Sequence, residues 1–103
     1  MEIDRIADQI ETVSQRYAAR WDINRDADWF LLKLQEEVGE LTQCYLSLTG
    51  QARPRGKSPD ELAAAFRAEL ADVFCHVLLL ARHHNVDLPA EIQAKWLDRR
   101  TRD

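Results

Sequence analysis

The sequence predicts an all-α domain built from antiparallel helical hairpins. Only three of the 103 residues are glycine and three are proline, so few positions favour the turns that a sheet requires. Apolar residues recur at alternating intervals of three and four along most of the chain, which is the period of one helix face. The length suits one domain, so we expect residues 1–103 to form a single four-helix bundle.

Two apolar stripes occupy the first half of the chain. The stripe from Ile3 to Tyr17 is flanked by charged residues and predicts a first helix. After a break in the pattern, Asp26 or Asp28 can cap the helix that follows. This second helix carries a stripe from Leu31 to Leu48 and should end near Gly50.

The second half opens with a strong helix start signal. Ser58 can cap a third helix, Pro59 suits its first turn, and Glu61 completes a capping box. The apolar period then predicts a helix to about His84. Asp87 is placed to cap a short fourth helix.

Charge and composition exclude several classes of function. The formal net charge of -4 argues against binding a nucleic-acid polymer, which requires a basic surface. No apolar run approaches the ~20 residues of a membrane-spanning helix, and no secretory signal is visible. Cys44 and Cys75 both lie within apolar helical patterns, where reduced core residues are expected. We therefore expect a soluble cytoplasmic protein.

Acidic residues mark the predicted functional site. Glu36, Glu37 and Glu40 fall within an arc of about 100° on the second helix. Glu69 and Asp72 lie one turn apart on the third. In an antiparallel hairpin the pairs 37/40 and 69/72 would border the core at the same level, so we expect four carboxylates to converge on one point.

An ordinary solvated helix face would explain these acids only if bases were interleaved with them. Such faces usually place lysine or arginine four residues after an acid, but here those positions hold Glu40, Leu41, Cys44 and Val73. Clustered acids repel one another, so we expect a cation to offset their charge. All-carboxylate sites suit Mg²⁺, with Mn²⁺ as a substitute, whereas zinc prefers histidine and cysteine.

These segments resemble a known enzyme superfamily. Lys33-Leu-Gln-Glu-Glu-Val-Gly-Glu-Leu41 and Glu69-Leu-Ala-Asp-Val73 are similar to the EExxE and ExxD motifs of the MazG-like all-α nucleoside triphosphate pyrophosphohydrolases, which include dimeric dUTPases and dCTP pyrophosphatases. The resemblance covers roughly Trp29 to Arg99. It implies a MazG-like bundle, a homodimer or homotetramer, and hydrolysis of a (deoxy)nucleoside triphosphate to its monophosphate and pyrophosphate, a reaction that sanitises the nucleotide pool.

The resemblance also implies roles for individual residues. Glu36 matches an acid that activates water in some members, and Lys33 matches a basic position that could meet phosphate. Lys95 and Arg99 resemble a late basic motif that neutralises the triphosphate, although members often carry an asparagine in that motif and here Asp98 stands in the neighbourhood. The residues that match the Mg²⁺ ligands are Glu37, Glu40, Glu69 and Asp72.

Other interpretations remain open from the sequence. The same fold could serve as a nucleotide-binding or regulatory module that turns over little substrate, or as a purely structural helical dimer. A di-iron carboxylate bundle would need Glu-x-x-His pairs, and Asp72 with His76 has the wrong spacing. Four aromatic residues could stack on a base or belong to the core and interfaces: Trp21, Trp29, Phe30 and Trp96.

Overall fold

A computed structural model describes residues 2–98 and confirms the all-α prediction. Helix α1 spans Ile3–Arg20, α2 spans Ala27–Leu48 and α3 spans Pro59–His83. A short helix α4, Leu88–Ile92, continues directly into a π-helical turn, Gln93–Leu97. Residues 2–98 contain no strand.

The predicted helix starts are confirmed by their hydrogen bonds. The Asp26 carboxylate accepts from the backbone N–H of Trp29 at 2.8 Å, so Asp26 and not Asp28 caps α2. At α3 both halves of the capping box are formed: the Ser58 hydroxyl accepts from the Glu61 N–H at 3.2 Å, and the Glu61 carboxylate accepts from the Ser58 N–H at 2.9 Å. These bonds satisfy backbone donors that would otherwise lack partners at a helix start.

Helices α2 and α3 form the central hairpin. Phe30, near the start of α2, stacks on His83 at the end of α3, with the ring centroids 4.4 Å apart. At the other end of the hairpin, the rings of Tyr45 and Phe66 lie 6.1 Å apart. The start of one helix thus meets the end of the other, so the two run in opposite directions.

Helix α1 packs against α3 and is fastened to the α1–α2 connection by Arg25. The Arg25 guanidinium donates to both carboxylate oxygens of Glu11, at 2.9 and 2.7 Å, and to the Ser14 hydroxyl at 3.0 Å. It also lies over the Phe30 ring, 5.2 Å from the centroid. A second ion pair joins Asp8 of α1 to Arg82 of α3.

The buried core is small for a chain of this length. Within residues 2–98 the buried apolar residues are Ala18, Phe30, Leu78 and Leu79. The radius of gyration is 16.5 Å, whereas a compact domain of about 100 residues has about 13 Å. No helix within residues 2–98 combines the length and apolar character needed to cross a bilayer.

Candidate active site

Three carboxylates from the central hairpin meet between α2 and α3. Glu37, Glu40 and Glu69 each present an oxygen, and these oxygens lie within 4.8 Å of one another. Glu37 is the most enclosed of the three, with 8% of its surface exposed. The spacing of three residues puts Glu37 and Glu40 on one face of α2, and the opposite direction of α3 brings Glu69 to the same level.

Two oxygens in this cluster are buried without a hydrogen-bond donor. Glu37 Oε2 and Glu69 Oε2 are both enclosed and have no partner among the described residues. Burial, followed by the negative charges of Glu40 and Asp72, raises the pKa of Glu37 to about 7. Burial and the charges of Asp72 and Glu40 also raise the pKa of Glu69. The cluster therefore disfavours its own ionisation and would gain from a cation.

Asp72 lies beside this group of three but is not part of it. It is exposed, and it lines a cavity together with Glu37. Its charge raises the pKa of both Glu37 and Glu69, which places it within electrostatic range of the cluster. Of the four predicted ligands, the structure gathers three and leaves Asp72 at the edge.

Glu36 and Lys33 form an ion pair at the rim of the cluster. The Lys33 ammonium donates to Glu36 Oε1 at 3.2 Å, and the Glu36 side chain is 56% exposed. Partial burial works against the charged form of Lys33, but the hydrogen bond to Glu36 and the charges of Glu36 and Glu37 outweigh it and raise the pKa of Lys33. Glu36 is thus open to water, and Lys33 is a cation that faces the acids.

His76 lies beside Glu37 at the edge of the cluster. Its Nε2 lies 3.9 Å from Glu37 Oε1, too far for a hydrogen bond, and its Nδ1 is buried without a partner among the described residues. Burial and the charge of Lys33 lower the pKa of His76, although nearby acids oppose the shift. A neutral imidazole therefore adjoins the cluster.

A cavity of about 540 Å³ opens directly beside the acids, between the hairpin and α1. Trp29 and Leu79 form its wall on the hairpin side, and Lys33, Glu37, Asp72 and His76 line its polar end. Helix α1 supplies the opposite wall through Ile6, Gln9, Ile10, Val13, Ser14 and Tyr17. The apolar stripe of α1 predicted a helix but gave no sign that this helix would enclose the site.

The other predicted residues lie away from the cluster or outside the described part of the chain. Lys95 is exposed in the π-helical turn and does not line the cavity. Arg99 lies outside residues 2–98. Among the aromatic candidates Trp29 lines the cavity, whereas Trp21 and Trp96 are 60% and 69% exposed. Phe30 is buried in the core.

The two cysteines are free and half-buried. Cys75 lies in the wall of the cavity, where burial and the charge of Asp72 raise the pKa of its thiol. A raised pKa keeps the less reactive thiol form at neutral pH, which suits a residue that packs in the wall.

Comparison of the chain with models of known protein families and with curated protein sequences finds no match. The case for a function consequently depends on the site itself. Two buried oxygens of its clustered carboxylates have no donor within residues 2–98, and the adjoining cavity has an apolar wall and a lysine at its polar end.

Proposed function

We propose that this protein is a MazG-like pyrophosphohydrolase, which uses Mg²⁺ to hydrolyse a (deoxy)nucleoside triphosphate to its monophosphate and pyrophosphate. The observation that carries the proposal is the pair of buried carboxylate oxygens, Glu37 Oε2 and Glu69 Oε2, which have no donor among the described residues. Leaving buried charged oxygens unpaired is costly. A hard dication would remove that cost.

The donor set fits Mg²⁺. All three members of the cluster offer carboxylate oxygens, which are the ligands that Mg²⁺ and Mn²⁺ prefer. Glu37, Glu40 and Glu69 would hold the ion, with Asp72 joining them from the edge of the cavity. When bound, Mg²⁺ would neutralise the phosphate oxygens and help to align the triphosphate for attack.

The remaining chemistry belongs to residues at the rim. In this proposal Glu36, which is exposed to water and follows Lys33 by one turn, accepts a proton from the attacking water. The water oxygen would bond to the α-phosphorus, the bridging bond to the β-phosphate would break, and pyrophosphate would leave. Lys33, a cation at the polar end of the cavity, would contact the phosphates.

The cavity is the natural place for the nucleoside. Its volume of about 540 Å³ lies within the range of small-molecule sites, and its walls are largely apolar. Trp29 offers an aromatic surface at which a base could stack. The phosphates would then extend from the cavity towards the three clustered acids.

The test is a substrate panel with the purified full chain. We expect pyrophosphate, and not orthophosphate, to be released from at least one nucleoside triphosphate in the presence of Mg²⁺. Glu37→Gln should reduce the rate at least about a hundredfold, because it removes an anionic oxygen from the cluster. Glu91→Gln, an exposed substitution of the same kind in α4, should leave the rate unchanged.

Two outcomes would count against the proposal. If no triphosphate yields pyrophosphate above the Glu37→Gln background but nucleotides still bind, the nucleotide-binding or regulatory module is correct instead. If Mg²⁺ and nucleotides both leave the melting temperature unchanged, the chain is a structural helical protein.

The proposed assembly is a homodimer or homotetramer that acts on the cytoplasmic nucleotide pool. The small core and the exposed apolar residues Leu70 and Phe74 support association of the chain with itself, because such side chains are stabilised when a partner covers them.

A further inference from the structure

The loop between α2 and α3 places three cations around a second cavity. This cavity has a volume of about 360 Å³. Arg53, Arg55 and Lys57 line it from the loop. Its remaining walls come from the last turns of α2 and the first turns of α3, through Gln43, Cys44, Ser47, Leu62 and Ala65.

The loop is held in shape by its backbone. The N–H groups of Gln51 and Ala52 both donate to the Leu46 carbonyl, at 2.8 and 3.0 Å, and the Lys57 N–H donates to the Pro54 carbonyl at 3.1 Å. Arg55 and Gly56 have φ values of 54° and 80°, which turn the chain sharply back towards α3. The three cationic side chains are therefore carried on a loop with internal hydrogen bonds.

These cations lack strong acidic partners. None of the three forms an ion pair within residues 2–98. Lys57 does lower the pKa of Glu61, but the main causes of that shift are the backbone N–H and the hydroxyl of Ser58. In a protein with a formal net charge of -4, this loop is a local concentration of positive charge that forms no ion pair within residues 2–98.

The cationic cavity lies in the same groove as the acidic cluster. On α2, Cys44 and Ser47 follow Glu40 at four and seven residues, which is one helix face. On α3, Leu62 and Ala65 precede Glu69 at seven and four residues, again on one face. With a rise of ~1.5 Å per residue, the cavity begins about 5 to 10 Å from the acids, on the side facing the loop.

The cluster is thus flanked by two cavities of opposite character. The cavity beside α1 reaches the cluster through Glu37 and Asp72 and is largely apolar. The cavity beside the loop is lined by cations. This order, apolar cavity, carboxylates, cations, matches the order of a base, a metal-bound phosphate and further phosphates along one nucleotide.

We propose that Arg53, Arg55 and Lys57 bind the terminal phosphates of the triphosphate and hold the pyrophosphate as it leaves. This inference rests on the proposed function and adds a direction of binding: the nucleoside lies towards α1 and the phosphates lie towards the loop. Arginine suits the task because its planar fork donates two parallel hydrogen bonds to a phosphate.

The first test measures anion binding alone, with inorganic tripolyphosphate and the full chain in the presence of EDTA at fixed ionic strength. Titration calorimetry should give an affinity that falls about tenfold or more in the double variant Arg53→Gln/Arg55→Gln, because charge-assisted contacts are lost. The matched control Arg5→Gln/Arg16→Gln removes the same charge from exposed positions on α1 and should change the affinity less than about twofold. Equal weakening in both variants, or none in the loop variant, would overturn the proposal.

The second test asks whether the anion is part of the substrate. With Mg²⁺ present, tripolyphosphate should compete with the triphosphate, and the loop variant should raise KM for the triphosphate while the α1 control does not. A tripolyphosphate that binds at the loop without competing would be a separate ligand, which would overturn the assignment to substrate phosphates. Absence of pyrophosphate release from every protein, with loop-dependent anion binding intact, would instead refute the proposed activity and leave only an anion site.

Discussion

At the scale of single residues, the enclosure of Glu37 has two opposite effects. Its pKa is raised to about 7, so the folded protein without metal holds a proton that the unfolded chain releases near 4.5. In the proposed site, the same enclosure would favour binding of a dication by the ionised form. Stability and ligand binding therefore respond to this one side chain in opposite directions.

A pH series on the metal-free protein checks the first effect. Because the folded pKa is the higher one, the unfolded state binds fewer protons between about pH 4.5 and 7, and the contribution of Glu37 to stability falls as pH rises through that window. Glu37→Gln cannot ionise, so in EDTA at pH 8 we expect it to exceed the wild type by about 2 kcal/mol in free energy of unfolding. Denaturant titrations at pH 4.5 and pH 8 measure the difference.

The matching control is Glu91→Gln, which should have the same free energy of unfolding as the wild type at both pH values. A Glu37→Gln variant that is less stable than the wild type at pH 8 without metal would show that the carboxylate is already paired by protein donors, and the case for a cation would lose its main support.

At the scale of secondary structure, local signals predicted the helix starts, but their tertiary contacts were not visible in the sequence. Ser58 and Asp87 cap their helices as predicted, and Asp26 caps α2 as one of the two predicted candidates, because a cap depends only on residues three positions away. The ion pair between Arg25 and Glu11 joins residues on either side of the break between the first two helical patterns, and no local sequence pattern predicts it. The position of α1 as a wall of the cavity was not predictable either, since an apolar stripe shows that a helix face is covered but not which surface covers it.

The Glu11–Arg25 pair fixes α1 to the start of α2, so its loss should loosen the cavity wall. The hydrogen bond from Arg25 holds the pKa of Glu11 below its ordinary value, and the stabilisation it gives is present above about pH 4.5 and lost as pH falls through the lowered pKa. We expect Glu11→Gln to cost about 1 to 2 kcal/mol at pH 7 and progressively less at lower pH. Thermal unfolding at pH 7 and pH 3 measures this.

Glu2→Gln is the appropriate comparison, since Glu2 lies exposed at the start of α1 and forms no ion pair within residues 2–98. A cost for Glu11→Gln that is unchanged at pH 3 would mean that the side chain contributes packing and not charge.

The sequence also predicted that acids from α2 and α3 meet at one level, but it did not predict which of the acids would make up the group. Glu37, Glu40 and Glu69 meet because helical spacing and hairpin register suffice to align them. Asp72 is not among the three acids whose oxygens meet but lines the adjoining cavity, because register fixes the level of a residue and not the reach of its side chain. The cations of the loop could be counted from the sequence, yet the cavity they line depends on how the loop folds back on α2.

At the scale of the whole molecule, the hairpin leaves apolar surface uncovered. Leu70 and Phe74 on α3 are 50% and 48% exposed, and with Val73 and Val77 they line a shallow apolar depression. Burying apolar surface stabilises a protein by about 25 cal/mol for each Å², and these exposed side chains do not contribute that stabilisation in a single chain. We therefore expect this face to be the contact between copies of the chain.

Light scattering after size exclusion should give a mass of at least twice the 12.0 kDa of one chain. Phe74→Asp should shift the protein towards the monomer, because a charge cannot be buried in an apolar contact without cost. Leu32→Asp, at a residue that is 65% exposed on α2 and does not line this depression, should leave the mass unchanged. A wild type that is monomeric at all accessible concentrations would contradict the proposed assembly.

The separation of the acids along the chain has a consequence for biosynthesis. Glu37 and Glu40 emerge from the ribosome well before Glu69, and the three meet only after α3 has folded back along α2. A nascent chain that has not yet exposed Glu69 offers only two of the three clustered acids. We expect the proposed cation to bind only the finished hairpin, so its supply would govern how many mature molecules are active and, by stabilising the folded state, how many of them stay folded.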